Sequence, residues 1–200
     1  MQTCGMMFIM LLNLLSGCLF VWEEDEFYPR VALSAKPEIA MSDVFIQSKE
    51  GDMLAFIPRH WTKLGTDKHP SKDVIGIAVD SSLTLSMVLS TINHSSGKTL
   101  AGETDVNELM RNAIMRHKER SGGLVKQIGK GRPLSIGRRT FGLIEFSGTD
   151  GLNTKALVWQ SQSGNHYECA LVPLDIMGAS IPEDSVKSRI IRSIAAMIMF

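Results

Sequence analysis

The sequence predicts an α/β domain in which an antiparallel sheet is sandwiched by helices. Three observations carry that class. Runs of β-branched and apolar residues are separated by short turn signals, three such runs follow one another late in the chain, and two amphipathic segments have helical spacing. Strands joined by tight turns pair antiparallel, and an amphipathic helix buries its apolar stripe against a sheet face.

The elements follow in order. "VFIQSKEGDMLAFIP" holds two apolar segments around Glu50-Gly51-Asp52, a hairpin that Pro58 ends. "VIGIAVD" and "LTLSMVLSTI" are strands, bounded by Asp80-Ser81-Ser82 and by residues 93–97. In "DVNELMRNAIMRHKERSGG", Val106, Leu109, Met110, Ala113 and Ile114 fall on one helical face, with His117 at its boundary. Asp105 with Glu108 has capping-box spacing, and Gly122-Gly123 stops the helix. "TFGLIEFSG", "TKALVWQSQ" and "HYECALVPL" form a meander turning at Asp150-Gly151 and Ser163-Gly164-Asn165. Cys169 in the last of these strands reads as a small core residue. "SIPEDSVKSRIIRSIAAMIMF" is the second helix, with Ser180 and Glu183 as a capping box, Pro182 in the first turn, and Val186, Ile190, Ile191, Ile194, Met197 and Ile198 as the buried face. The chain stops on Phe200, which predicts a docked end.

Composition narrows the function classes. The 200 residues are 44% hydrophobic and 21% charged, enough for one domain with a core. Lys and Arg number 21, as do Asp and Glu, so no overall field favours nucleic acid, which is not an expected partner. Cys4, Cys18 and Cys169 match no zinc or CxxC spacing. His60, His69, His94, His117 and His166 form no HxxxH or HExxH pair, and no P-loop or GxSxG elbow is present. No catalytic residue, metal site or cofactor is therefore expected.

The N-terminus fixes a location. Residues 1–22 carry no charged side chain, and Met6–Leu12 is unbroken and apolar. That length suits a signal-peptide core better than a membrane span, which needs about 20 apolar residues. Leu15-Ser16-Gly17-Cys18 resembles a bacterial lipobox: an aliphatic residue, two small residues that let the backbone enter a peptidase cleft, and a thiol that takes diacylglycerol. The segment departs from such signals in having no Lys or Arg before Arg30. The other reading is a buried helix or an uncleaved anchor. The expected division is a lipoprotein signal peptide at 1–17, a tether at 18–42 acidic at its start and broken by Pro29 and Pro37, and the folded domain at 43–200. Cys18 is the expected lipidation site, carrying palmitate-like acyl chains that hold the protein on the cell envelope, facing the periplasm or exterior.

One stretch concentrates polar function. "RHKERSGGLVKQIGKGRPLSIGRR" holds Arg116, Lys118, Arg120, Lys126, Lys130, Arg132, Arg138 and Arg139 against Glu119 alone. Such a face suits anionic headgroups, a cell-wall polymer or an acidic partner. A solvated helix end and loop is the plainer reading. Trp61, after Pro58-Arg59-His60, is a further contact candidate or a cap on the sheet edge.

The element order and several short motifs resemble the superfamily that holds the PsbP proteins of photosystem II, the Ran-binding nucleotide-release factor and the bacterial DcrB-like lipoproteins. The motifs are "MLAFIPRHW", the helix from Asp105, "GRRTFGLIEFSG", "NHYECALVP" and "IIRSIAAM", spanning about residues 43–200. The resemblance implies a PsbP-like sheet between helices and a protein that acts by binding partners. The expectation is thus a lipid-anchored binding or assembly module without catalysis, touching the membrane through its anchor and an envelope protein or anionic ligand through its domain. The competing readings are an accessory subunit of a membrane complex and an enzyme acting on an envelope substrate.

Overall fold

The computed structural model describes residues 35–65, 71–92, 105–176 and 178–200. The signal-like segment, Cys18 and most of the tether lie outside them, as do His69 and His94. In chain order the strands are β1 (Met41–Gln47), β2 (Leu54–Pro58), β3 (Thr62–Leu64), β4 (Val74–Val79), β5 (Leu85–Thr91), β6 (Lys126–Gln127), β7 (Arg132–Ile136), β8 (Arg139–Ser147), β9 (Asn153–Gln160), β10 (His166–Pro173) and β11 (Ile198–Met199). The helices are α1 (Val106–Arg120), between β5 and β6, and α2 (Asp184–Ala196), between β10 and β11.

The main sheet is antiparallel, ordered β3-β4-β5-β10-β9-β8-β6, with β7 also paired to β8. The predicted meander β8-β9-β10 makes its centre. Gly151 and Gly164 take φ of 76° and 85° in its two turns, a region that side-chain-bearing residues avoid. Alternation along the strands sorts side chains to two faces. Leu157, Trp159, Tyr167, Cys169 and Leu171 join one core cluster. Ala156, Val158 and Ala170 join the other.

α1 covers this second face. Leu109, Met110 and Ala113 are buried against Ile144, Phe146 and Val158, with Val106 and Ile114 packed at the margin, as the periodicity predicts. Asp105 caps the helix, its carboxylate accepting from Asn107 N–H at 3.0 Å. Gly142 allows the close approach: a Cβ there would lie 2.4 Å from Met110 Cγ and 2.7 Å from Val158 Cγ2.

The first face is covered by α2 together with a small second sheet, ordered β1-β2-β11. The predicted hairpin β1-β2 therefore stands apart from the main sheet and takes its third strand from the last residues of the chain. Two expectations for the second helix are corrected. It begins at Asp184, with Glu183 at the cap position making no side-chain cap bond, so no Ser180–Glu183 box forms. A start at Ser180 would place Ile181, which precedes Pro182, in helical conformation, and a residue before proline avoids it. The buried face also shifts: Val186 is exposed and Lys187 buried, while Ile198 is buried as a strand residue paired with Ala55. Phe200 is docked as expected, with ring centroids 5.8 Å from Phe141 and 6.1 Å from Trp159.

Candidate functional site

β8 organises the basic stretch and divides it. Arg139 opens this strand and Ser147 ends it, opposite Lys126. At roughly 3.3 Å per residue, nine strand residues set the two ends about 26 Å apart. Arg138 lies exposed in the β7–β8 turn, at the Arg139 end. Arg139 itself turns inward: its Nη2 donates to the Ala196 carbonyl at 2.9 Å, and its guanidinium sits 5.8 Å from the Phe200 ring centroid. Burial lowers its pKa from the ordinary arginine value. Arg139 thereby fastens the end of α2 and the chain terminus to β8.

Lys126, Lys130 and Arg132 form a separate group. All three are exposed on β6, β7 and the loop between them, which form the sheet edge next to β8, and none makes a side-chain ion pair among the described residues. Trp61 stands at the opposite edge of the main sheet, just before β3. Its backbone N–H donates to Pro58 O at 3.2 Å, and its ring packs partly buried on the first core cluster. The structure thus brings Lys126, Lys130 and Arg132 together and leaves Arg138, Arg139 and Trp61 elsewhere.

Arg116, the first cation of the stretch, lies under α1. Its Nη2 meets Glu168 Oε2 at 2.6 Å, and His117 Nε2 meets Glu168 Oε1 at 2.6 Å. Helical neighbours i and i+1 thus grip both oxygens of one carboxylate from β10. Burial pushes the Glu168 carboxyl up, but the hydrogen bond and charge of His117 and the charge of Arg116 outweigh it and hold the group below its ordinary value. His117 also lies over Phe146, centroids 4.2 Å apart. Arg116 Nη2 reaches Ser90 Oγ at 3.1 Å as well, which ties α1 to β5.

Two further polar clusters escaped the sequence reading. Asp52, read there only as a turn residue, accepts from Ser48 Oγ at 2.8 Å, Ser161 Oγ at 2.5 Å, Asn165 Nδ2 at 2.9 Å and Tyr167 Oη at 2.6 Å. Burial raises its carboxyl, and these four donors overcome that and draw it down to about 2. Lys155, 2% exposed, places its Nζ 2.9 Å from Glu145 Oε1 and 3.1 Å from Asp184 Oδ2. Asp184 lies in the first turn of α2, where the helix dipole also favours a carboxylate. The only hint in the sequence was Lys155 and Glu168 lying inside apolar strands, where an ionisable group must find a partner.

Chemically, these clusters are fasteners. Each joins two or more elements, and both oxygens of Asp52 and of Glu168 are met by donors from the same domain. Cys169 is fully buried, and burial followed by the charge of Glu168 pushes its thiol up, away from the reactive thiolate. Among the described residues no group of His, Cys, Asp and Glu is placed to hold a metal ion, and no helix is long and apolar enough to cross a membrane.

No protein-family model matches the chain, and no curated protein matches it. Among solved structures it is similar to cyanobacterial PsbP (CyanoP) from Synechocystis sp. PCC 6803, with a TM-score of 0.53 and 16% identity over 80% of this chain and 93% of that one. The domain is PsbP-like in fold, and at that identity the likeness speaks to the fold alone.

Proposed function

We propose that this PsbP-like domain is a lipid-anchored, envelope-facing binding or assembly module that works without catalysis. The observation that carries the reading is Leu15-Ser16-Gly17-Cys18 standing in front of such a domain, the combination found in DcrB-like lipoproteins. Diacylglycerol and further acyl chains on Cys18 hold the protein on the cell envelope, since each buried CH₂ contributes about 0.8 kcal/mol and two chains anchor stably where one does not. Internal pairing of Glu168, Asp52 and Lys155 supports a role in which buried charge shapes the domain. Partners are then met at the surface, where Lys126, Lys130 and Arg132 offer an anionic ligand or envelope protein a contact.

Intact mass of the protein purified from membranes tests the anchor. The expected chain begins at Cys18 and carries acyl mass; one that keeps Met1 and a free thiol at Cys18 overturns the reading. Pull-down from native membranes tests the role. A chain recovered in fixed proportion with one membrane complex would instead be its accessory subunit.

A further inference from the structure

The chain leaves α1 through Gly122 and Gly123, with φ of 60° and 84°, and runs along the side of β8 away from β9, forming the edge of the main sheet. The edge strand is interrupted there. Lys126 and Gln127 pair with the end of β8, Arg132–Ile136 with its start, and between them Gly129 turns the chain with φ of 63°. On this edge Leu124 is 63% exposed and Ile128 37% exposed. Lys126 stands between them in sequence, and Lys130 and Arg132 follow, all exposed. Glu119 before the loop and Asp150 in the turn after β8 are the exposed carboxylates adjoining it along the chain.

We propose that this edge docks on an anionic bilayer, with Leu124 and Ile128 entering the boundary of headgroups and acyl chains and Lys126, Lys130 and Arg132 held by lipid phosphates. Two chemistries alternate over a few residues, and a bilayer surface satisfies both. Apolar tips gain by leaving water for the acyl boundary, while lysines beside them bury their stems and keep their heads among phosphates. An acidic polymer would engage the cations and leave Leu124 and Ile128 in water. The inference rests on the anchored reading for proximity: the 20 residues from Cys18 to Pro37, before Glu38 joins the domain through Arg192, extend no further than about 70 Å, so the domain stays near the surface that carries the anchor.

The test uses the full chain with Cys18→Ala, which takes no lipid, so its outcome is independent of whether the native chain is acylated. Flotation is measured with vesicles of phosphatidylcholine alone and of equal parts phosphatidylcholine and phosphatidylglycerol. The expected result is tighter binding to the anionic vesicles. Lys126→Gln, Lys130→Gln and Arg132→Gln together weaken that binding about a hundredfold, at about fivefold per cation. Leu124→Ser with Ile128→Ser weakens it at least about fivefold. Binding to neutral vesicles, which includes the contribution of the apolar run Met6–Leu12, is the same for the parent and the cation variant and no tighter for the Ser variant, and thermal melting confirms that each is folded. Unchanged binding in the cation variant overturns the proposal. A loss in the cation variant with none in the Ser variant also overturns it and marks the edge as a contact for an acidic polymer or protein.

Discussion

Tyr167 donates its phenolic hydrogen to Asp52 at 2.6 Å and so joins β10 of the main sheet to the turn of the β1–β2 hairpin. Ser161 and Asn165, from the β9–β10 turn, reach the other oxygen of the same carboxylate. One carboxylate therefore adds a polar tie between the small sheet and the large one to the apolar core they share.

This arrangement makes stability depend on acid. The Asp52 carboxyl falls from 3.8 to about 2 on folding, so its contribution is full above its unfolded value and is lost as pH drops through the folded one. Asp52→Asn is expected to melt lower than the parent by a constant margin above about pH 4. That margin should narrow as pH approaches 2, the folded value. Thermal melts across an acid series measure it, and a margin independent of pH would show that the charge of Asp52 is not what the donors hold.

Removing one partner of the pair under α1 leaves a buried charge exposed to no counter-charge. Glu168→Leu is expected to cost about 3–5 kcal/mol in denaturant unfolding. Arg116→Met combined with Glu168→Leu should recover part of that loss, because no guanidinium is then left without its counter-charge and only His117 loses a partner. Additive losses would mean that Arg116 and Glu168 do not couple.

The faces of α2 differ in the same way. Ile194 is fully buried, and Ile194→Ala is expected to cost about 2–5 kcal/mol. Arg192 pairs with Glu38 at 2.6 Å on the exposed side, and Arg192→Ala should cost no more than about 1 kcal/mol. Similar losses for both would reverse the assignment of the helix faces.

Gly142→Ala forces a Cβ to 2.4 Å from Met110 Cγ and is expected to destabilise by about 1–3 kcal/mol through overpacking. Met110→Ala in the same chain should relieve part of that strain. If the loss in the double variant equals or exceeds the sum of the two single losses, the clash lies elsewhere.

Periodicity made most of the architecture legible. The stripe from Val106 to Ile114 specifies one helix face, which the structure buries as read, and the continuous apolar run in "TKALVWQ" marks a strand, which the structure buries on both faces. Pairings between distant segments carry no such local signal. Nothing near Ile198 announces that it will pair with Ala55, and its helical spacing made a strand residue look like the last turn of a helix. The basic stretch failed as one surface for a related reason. Charge counts along a chain ignore direction, whereas Arg116 and Arg139 point inward to Glu168 and the Ala196 carbonyl, Arg138 sits at the far end of β8, and Lys126, Lys130 and Arg132 share the β6–β7 edge.

The third strand of the small sheet comes from residues made long after the hairpin it completes. While the chain is being synthesised, Leu54 and Ala55 present unpaired backbone groups, because β11 does not yet exist to meet them. An unpaired edge of this kind recruits strands from other chains. Completion of the small sheet thus waits until Ile198 and Met199 have been made, and a nascent chain stalled before Ile198 would leave that edge open and adhesive.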